Sequence, residues 1–245
     1  MRIAVIGGTG LVGREVVKAL EARGDEPVVV ARSRGVDLLT GDGLDAALAG
    51  AEALIDVTNT FAATPDDARA FFATTTTRLQ EAAQRAGARH HVVLSIVGVD
   101  RVDGNAHYAG KVEQERLALA GPVPATIVRA TQFHEFGEQV ARWTRDGDTA
   151  TIPPLLVQPV AVPDLAAVLI QVAHDEGADR TLEVAGPETQ DLVDMARRAL
   201  ARRGDTVRLA VRWGGAFPTT MAGEVLLPGP DARIAPTTFD DWLGS

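Results

Sequence analysis

The chain opens MRIAVIGGTGLVG, residues 1–13. Arg2–Gly7 is a nearly unbroken apolar run, the pattern of a strand buried on both faces. Gly7, Gly10 and Gly13 follow at intervals of three. They lead into a helix over Leu11–Arg23 that gathers Val12, Val16, Ala19 and Leu20 on one side. A buried strand turning through glycines into a helix is the phosphate-cradling unit of dinucleotide-binding proteins. Gly7 permits the sharp turn. Gly10 lets backbone approach a pyrophosphate resting on the helix N-terminus, and Gly13 lets the helix lie close to the strand.

Outward from this unit the pattern repeats. Strands are expected at Glu26–Arg32, Val36–Gly41, Ala53–Asn59, His90–Gly98 and Ala125–Ala130. Helices are expected at Leu44–Gly50, Asp66–Ala86 and His107–Ala120, the long one stopped by Gly87. Alternating strands and helices give a parallel sheet with helices on both faces, the doubly wound α/β Rossmann class. After residue 131 the rhythm breaks at Pro153, Pro154, Pro159 and Pro163, with helices at Asp164–His174 and Glu188–Arg203. We read 1–130 as the dinucleotide-binding core and 131–245 as completing the sheet and adding a small substrate-side lobe. Thr74–Thr77 fall inside a helical pattern although Thr is a poor helix former.

Where the second strand ends, a dinucleotide's adenosine ribose lies. An acid there binds a free 2′-hydroxyl, whereas Arg accepts a 2′-phosphate. Arg32, Ser33 and Arg34 stand there with no acid, which predicts NADP(H). Asp42 can accept from the adenine amino group or cap the short helix at Leu44; the two readings are compatible.

Composition excludes several classes. The chain has 245 residues and 46% apolar content, enough for a sizeable core. A net charge of −9 argues against nucleic acid or an anionic membrane as partner, and 4% aromatics leave no stacking platform for single strands. With no Cys there is no disulfide, thiolate metal site or thiol nucleophile. His90 and His91 are adjacent and point to opposite sides of a strand, so no metal is expected there. No signal peptide or membrane-length apolar run is seen, so a cytoplasmic protein is expected.

The glycine loop, VTN at residues 57–59, VVLSIVG at 92–98 and a Lys-bearing helix resemble the atypical short-chain dehydrogenase/reductases, in particular the NmrA-like branch. The later segments ATIVRATQFHEF (125–136), QPVAVPDLAAVL (158–169) and LEVAGPE (182–188) extend the resemblance over most of the chain. It implies that Gly7, Thr9, Gly10, Leu11 and Val12 line the pyrophosphate, and that Arg32 and Ser33 meet the 2′-phosphate. It places Thr58, Asn59 and Thr60 under the riboses. Ser95 takes the place of the catalytic serine, and Lys111 that of the lysine holding the nicotinamide ribose. Thr131, Gln132 and Phe133 close over the nicotinamide.

One element departs from the family pattern. In NAHYAGKVEQE, residues 105–115, the tyrosine expected four places before Lys111 is His107, and Tyr108 stands one place late. Positions three and four before a residue share nearly one helix face, so either side chain can point at the ribose. His107 can donate a proton near neutral pH, and Tyr108 can if the helix starts late and Lys111 lowers its phenol pKa as in the family's chemistry. His134–Glu135 lie on the ligand side after the sixth strand, either lining a pocket or capping the next helix. The reading that results is an NADP(H)-dependent oxidoreductase acting on a small carbonyl or quinone-like substrate. The alternative is a non-catalytic NADP(H)-binding sensor or regulator, and a structural interaction subunit is a third. A monomer is favoured, with a dimer possible.

Overall fold

The structure is a computed structural model that describes residues 1–175 and 180–245. The first half runs β1 (Arg2–Ile6), α1 (Leu11–Arg23), β2 (Glu26–Val30), α2 (Leu44–Leu48), β3 (Ala53–Asp56), α3 (Pro65–Ala86), β4 (His90–Ile96), α4 (Ala106–Ala120) and β5 (Ala125–Ala130). The second runs α5 (Phe136–Trp143), β6 (Arg145–Asp146), β7 (Thr149–Ile152), β8 (Leu156–Val157), α6 (Val162–His174), β9 (Arg180–Ala185), β10 (Gln190–Asp191), α7 (Leu192–Arg202), β11 (Arg208–Val211), β12 (Arg233–Ile234) and α8 (Phe239–Gly244).

Seven parallel strands form the central sheet in the order β12-β9-β5-β4-β3-β1-β2. Side chains alternate across it, as strand geometry requires. Ile3 and Val5 join Ile55, Val92 and Val128 on the face covered by α1 and α6, while Ala4, Ile6 and Leu54 meet α2 and α3 on the other. This double burial is why the strands read as apolar runs. The same alternation puts Asp56, His91, Ser95 and Arg129 on the side of the sheet where α3 and α4 pack. A second core lies between α5, α7, β7 and the C-terminal segment, around Val140, Ile152, Leu155, Met195, Leu226 and Phe239.

Three sequence expectations need correction. Val36–Gly41 is a turn and not a strand: Asp37 accepts from Leu39 N through its side chain (2.7 Å) and from Gly41 N through its carbonyl (2.8 Å). The sheet therefore ends at β2. Asp42 does not cap α2, whose N-cap is Gly43 with no side-chain hydrogen bond. The His134–Glu135 pair does not cap α5 with a side chain: Glu135 stands at the N-cap without a side-chain bond, and the buried His134 ring packs against Phe239 and Trp242 and meets Thr237 O at 3.1 Å, tying the C-terminal segment to the chain after β5. Two acidic pairs stand in helix first turns: Asp66–Asp67 open α3 behind a Thr64 cap, and Asp240–Asp241 open α8 behind Thr238. In the threonine run, Thr75 and Thr76 are buried and Thr75 Oγ1 bonds back to Phe71 O, which removes its penalty as a free hydroxyl. Among the described residues no helix is long and apolar enough to cross a membrane.

Candidate cofactor-binding site

The glycine loop is tied to the ends of its neighbours. Gly7 N donates to Val30 O of β2 (2.9 Å), and Gly7 adopts φ +80°, a left-handed conformation that favours glycine. Gly10 is different. Its φ is −77°, and a Cβ there would meet only Gly7 O, at 3.3 Å. The fold barely requires Gly10; open backbone at the start of α1 is what its lack of a side chain provides. No acidic side chain occupies the first turn of α1, and no side chain caps it. The Leu11 and Val12 amides at this end suit an anion.

After β2 the chain turns through a short 3-10 segment, Arg32–Arg34, in which Arg32, Ser33 and Arg34 are all exposed. Among the described residues neither the Arg32 nor the Arg34 side chain has a hydrogen-bond or ion-pair partner, so both guanidinium groups are free for a phosphate. Asp42 is exposed on the following turn.

At the carboxyl ends of β3, β4 and β5 the structure gathers polar groups without partners. Thr58 Oγ1, Ser95 Oγ, His107 Nδ1 and Gln132 Oε1 are all buried, and none has a hydrogen bond. Thr58 follows β3, Ser95 lies near the end of β4, Gln132 follows β5, and His107 sits in the first turn of α4. Buried polar atoms are rarely left unpaired unless a ligand completes them. Asn59 is exposed and Thr60 partly so beside them; Thr131 is buried and spends its hydroxyl on Gln158 O (2.6 Å), and Phe133 is half-buried against the α1–α6 core.

Helix α4 resolves the offset tyrosine. Asn105 caps it by accepting from Tyr108 N (3.0 Å), and Asn105 Nδ2 holds Ala216 O (2.8 Å). Tyr108 turns into the second core with Val99, Val102 and Met221. Burial pushes its phenol pKa up, which Gln132 beside it only partly offsets. The expectation of a phenol acidified by Lys111 fails on this packing. His107 occupies the position four before Lys111. Burial, and secondarily the Lys111 charge, push its imidazole down to about 4, so the ring is neutral at pH 7. An imidazolium donor near neutral pH is thereby corrected as well. Lys111 is only 4% exposed; burial lowers its pKa to about 8, against the pull of Asp56 and Glu115.

Sequence reasoning missed the groups behind Lys111. Its ammonium donates to Gln114 Oε1 and lies 5.2 Å from the centre of the Phe72 ring. Gln114 Nε2 donates to Asp56 Oδ2 (2.9 Å), and Thr58 N donates to Asp56 Oδ1 (2.8 Å). The two adjacent histidines diverge, as their alternation requires. His90 meets Thr126 Oγ1 at 2.9 Å; His91 lies between Gln80 (3.0 Å) and Asp56 (3.7 Å). A chain of aromatic rings links the segment after β3 to α5 and the segment after β11: Phe61 touches Trp143 (6.1 Å between centroids), Trp143 touches Phe136 (6.3 Å), and Phe136 touches Phe217 (6.2 Å). Phe61 is 85% exposed.

Comparison with known proteins agrees with this architecture. Several solved structures share the fold at low identity. MoeE5 in complex with UDP-glucose and NAD is 20% identical over 100% of this chain and 92% of its own, with a TM-score of 0.70. A short-chain dehydrogenase/reductase superfamily protein from Agrobacterium tumefaciens with bound NAD is 20% identical over 100% and 95%, with a TM-score of 0.68. A nucleoside-diphosphate-sugar epimerase from Staphylococcus aureus is 14% identical over 100% of both chains, with a TM-score of 0.74. No curated protein sequence matches the chain. The family model of the NAD dependent epimerase/dehydratase family matches residues 3–126, from β1 into β5. That match takes in just over half of the sequence, and the chain belongs to this family.

Proposed function

We propose that this chain binds NADP(H) across the carboxyl edge of its sheet and reduces a small carbonyl or quinone-like substrate there, as an NmrA-like member of the atypical short-chain dehydrogenase/reductases. The observation that carries the proposal is the set of unpartnered buried atoms on Thr58, Ser95, His107 and Gln132. They stand at the ends of β3, β4 and β5 and in the first turn of α4, the end of the sheet towards which the nicotinamide half of a dinucleotide on the glycine loop would run. Gly7, Thr9, Gly10, Leu11 and Val12 hold the pyrophosphate. Arg32 and Ser33 take the 2′-phosphate, the free Arg side chains favouring NADP(H) over NAD(H). Asp42 reaches the adenine. Thr58, Asn59 and Thr60 lie under the riboses, Lys111 binds the nicotinamide ribose, and Thr131 and Phe133 close the far side. Residues 1–130 form the cofactor half, and 131–245 shape the substrate side.

When bound, the cofactor supplies a hydride. Ser95 Oγ donates a hydrogen bond to the substrate oxygen on which negative charge develops. His107 is neutral and serves as a second hydrogen-bond donor, not as a strong acid. Tyr108 supports the pocket wall. Proton delivery from water suits a quinone-like substrate, which needs no dedicated acid, and the rings Phe61, Trp143, Phe136 and Phe217 offer flat apolar surface for one. The same missing acid favours a second reading, an NADP(H)-binding sensor without turnover. NADPH absorbance followed against quinones, aldehydes and enones separates the two. Turnover selects the reductase, binding without turnover selects the sensor, and no calorimetric binding of NADP(H) overturns both.

A further inference from the structure

The groups behind Lys111 form one buried chain whose hydrogen directions can be deduced. Val123 N donates to Gln80 Oε1 (3.0 Å), which fixes the Gln80 amide with its NH2 towards His91 Nδ1 (3.0 Å) and Ala118 O (3.0 Å). His91 Nδ1 must then accept, so its proton sits on Nε2, which faces Asp56 Oδ2 at 3.7 Å. Gln114 is fixed in the same way. Lysine can only donate and a carboxylate can only accept, so Gln114 gives its amide hydrogen to Asp56 and takes one from Lys111. The donors of Lys111, Gln114 and His91 thus point towards the Asp56 carboxylate or along a path to it, while Gln80 also anchors the Ala118 carbonyl. Asp56, His91, Gln80, Gln114 and Lys111 are all under a tenth exposed.

The charges nearby single out Asp56. The ionisable groups facing Lys111 are Asp56 from β3, with His91 from β4 behind it, and Glu115 and His107 on its own helix; α3 contributes the uncharged Phe72 ring. Glu115 is already neutralised by a two-pronged pair with Arg129 (2.9 and 2.7 Å). Among the described residues Asp56 is the carboxylate facing Lys111 that has no Arg paired to it; its remaining partners are the N–H groups of Gln114, Thr58 and His91. Its own carboxyl is pushed up by burial, yet the pull of His91 and Lys111 holds it below the usual range, so it is charged.

We infer that Asp56, acting through Gln114, is the positioning residue for Lys111: it sets where the ammonium sits and supplies the negative charge that keeps it protonated. Its consequence for cofactor binding rests on Lys111 holding the ribose, as proposed above. Its electrostatic content does not.

The chain has one other lysine, Lys18, which is 77% exposed. Protein labelled with 13C at lysine Cε therefore gives two resolvable side-chain signals, and Lys111 can be titrated directly with no cofactor present. In Asp56→Asn the Lys111 midpoint should fall by about one unit or more, the scale of a near countercharge at an intermediate dielectric, while Lys18 does not move. In Gln114→Leu, which keeps the charge at 56, the midpoint should fall less. The double variant Asp56→Asn/Gln114→Glu should restore it. Calorimetry with NADP(H) on the same proteins should show at least fivefold weaker binding for Asp56→Asn and for Gln114→Leu. An unchanged Lys111 midpoint in folded Asp56→Asn overturns the inference. If that variant does not fold, a Gln114→Leu protein with wild-type midpoint and wild-type affinity overturns it instead. Wild-type affinity in Lys111→Ala removes Lys111 from the cofactor site, and the NMR titration still decides the Asp56 link.

Discussion

A Cβ placed on Gly13 would lie 2.3 Å from the carbonyl oxygen of Gly7 and 2.6 Å from the Cα of Gly8. Helix α1 and the end of β1 are in backbone contact at that point, and no rotamer relieves the clash. Gly13→Ala should therefore destabilise the fold by about 2 kcal/mol or more, read as a lowered denaturant midpoint. Gly10→Val should behave oppositely, with a near wild-type midpoint and loss of NADP(H) binding by calorimetry. Retained affinity in Gly10→Val would sink the assignment of the loop.

Arg32→Ala should reduce the preference for NADP(H) over NAD(H) by about 2 kcal/mol, or roughly thirtyfold in the ratio of dissociation constants, because a charge-assisted contact to a phosphate is lost. NAD(H) affinity itself should change little. An unaltered ratio would mean that Arg32 does not read the 2′-phosphate.

The depressed His107 pKa makes an acid-side prediction. The folded value is about 4 and the unfolded value about 6.5, so between them the unfolded chain binds a proton that the folded chain refuses. Stability is complete above pH 6.5 and falls as pH drops towards 4, with His107 accounting for about 3 kcal/mol of the loss. His90 and His134, also lowered chiefly by burial, act in the same direction. Urea midpoints from pH 7 to 4.5 should be flatter in His107→Asn than in wild type. Any reductase activity should be level from pH 6 to 7.5 in wild type and in Tyr108→Phe. A rate that falls through pH 6.5 would restore His107 as an acid.

Gln80 is buried between α3 and the turn before β5, with bonds to Val123 N, Ala118 O and His91. Gln80→Leu keeps the volume but strands these groups without water. A loss of about 2–3 kcal/mol is expected by chemical denaturation. A neutral outcome would show that the turn rearranges to find other partners.

How much of this was legible beforehand follows from the range of the interactions. The central strands β1, β3, β4 and β5 were readable because burial on both faces writes a local apolar run. The extra strand at Val36–Gly41 was misread because two leucines beside a valine look the same in a turn closed by Asp37 as in a strand. The glycine loop was readable because its constraint acts within six residues. The Lys111–Gln114–Asp56–His91–Gln80 chain was not, since its members come from β3, α3, β4 and α4 and Gln114 meets Asp56 across 58 positions. Nor could helix periodicity choose between His107 and Tyr108, which lie within one face. The choice was made by the second core, whose residues come mostly from beyond position 131.

The missing strand beyond β2 leaves the molecule with a raw edge. Glu26 N bonds inward to Met1 O, so alternation turns the backbone of residue 27 outward, where an amide hydrogen could recruit the strand of another molecule. Residue 27 is proline and has no such hydrogen to offer. Pro27→Val should keep the fold and yet sediment as larger species when concentrated, because it sets a second outward amide beside that of Val29 on this edge.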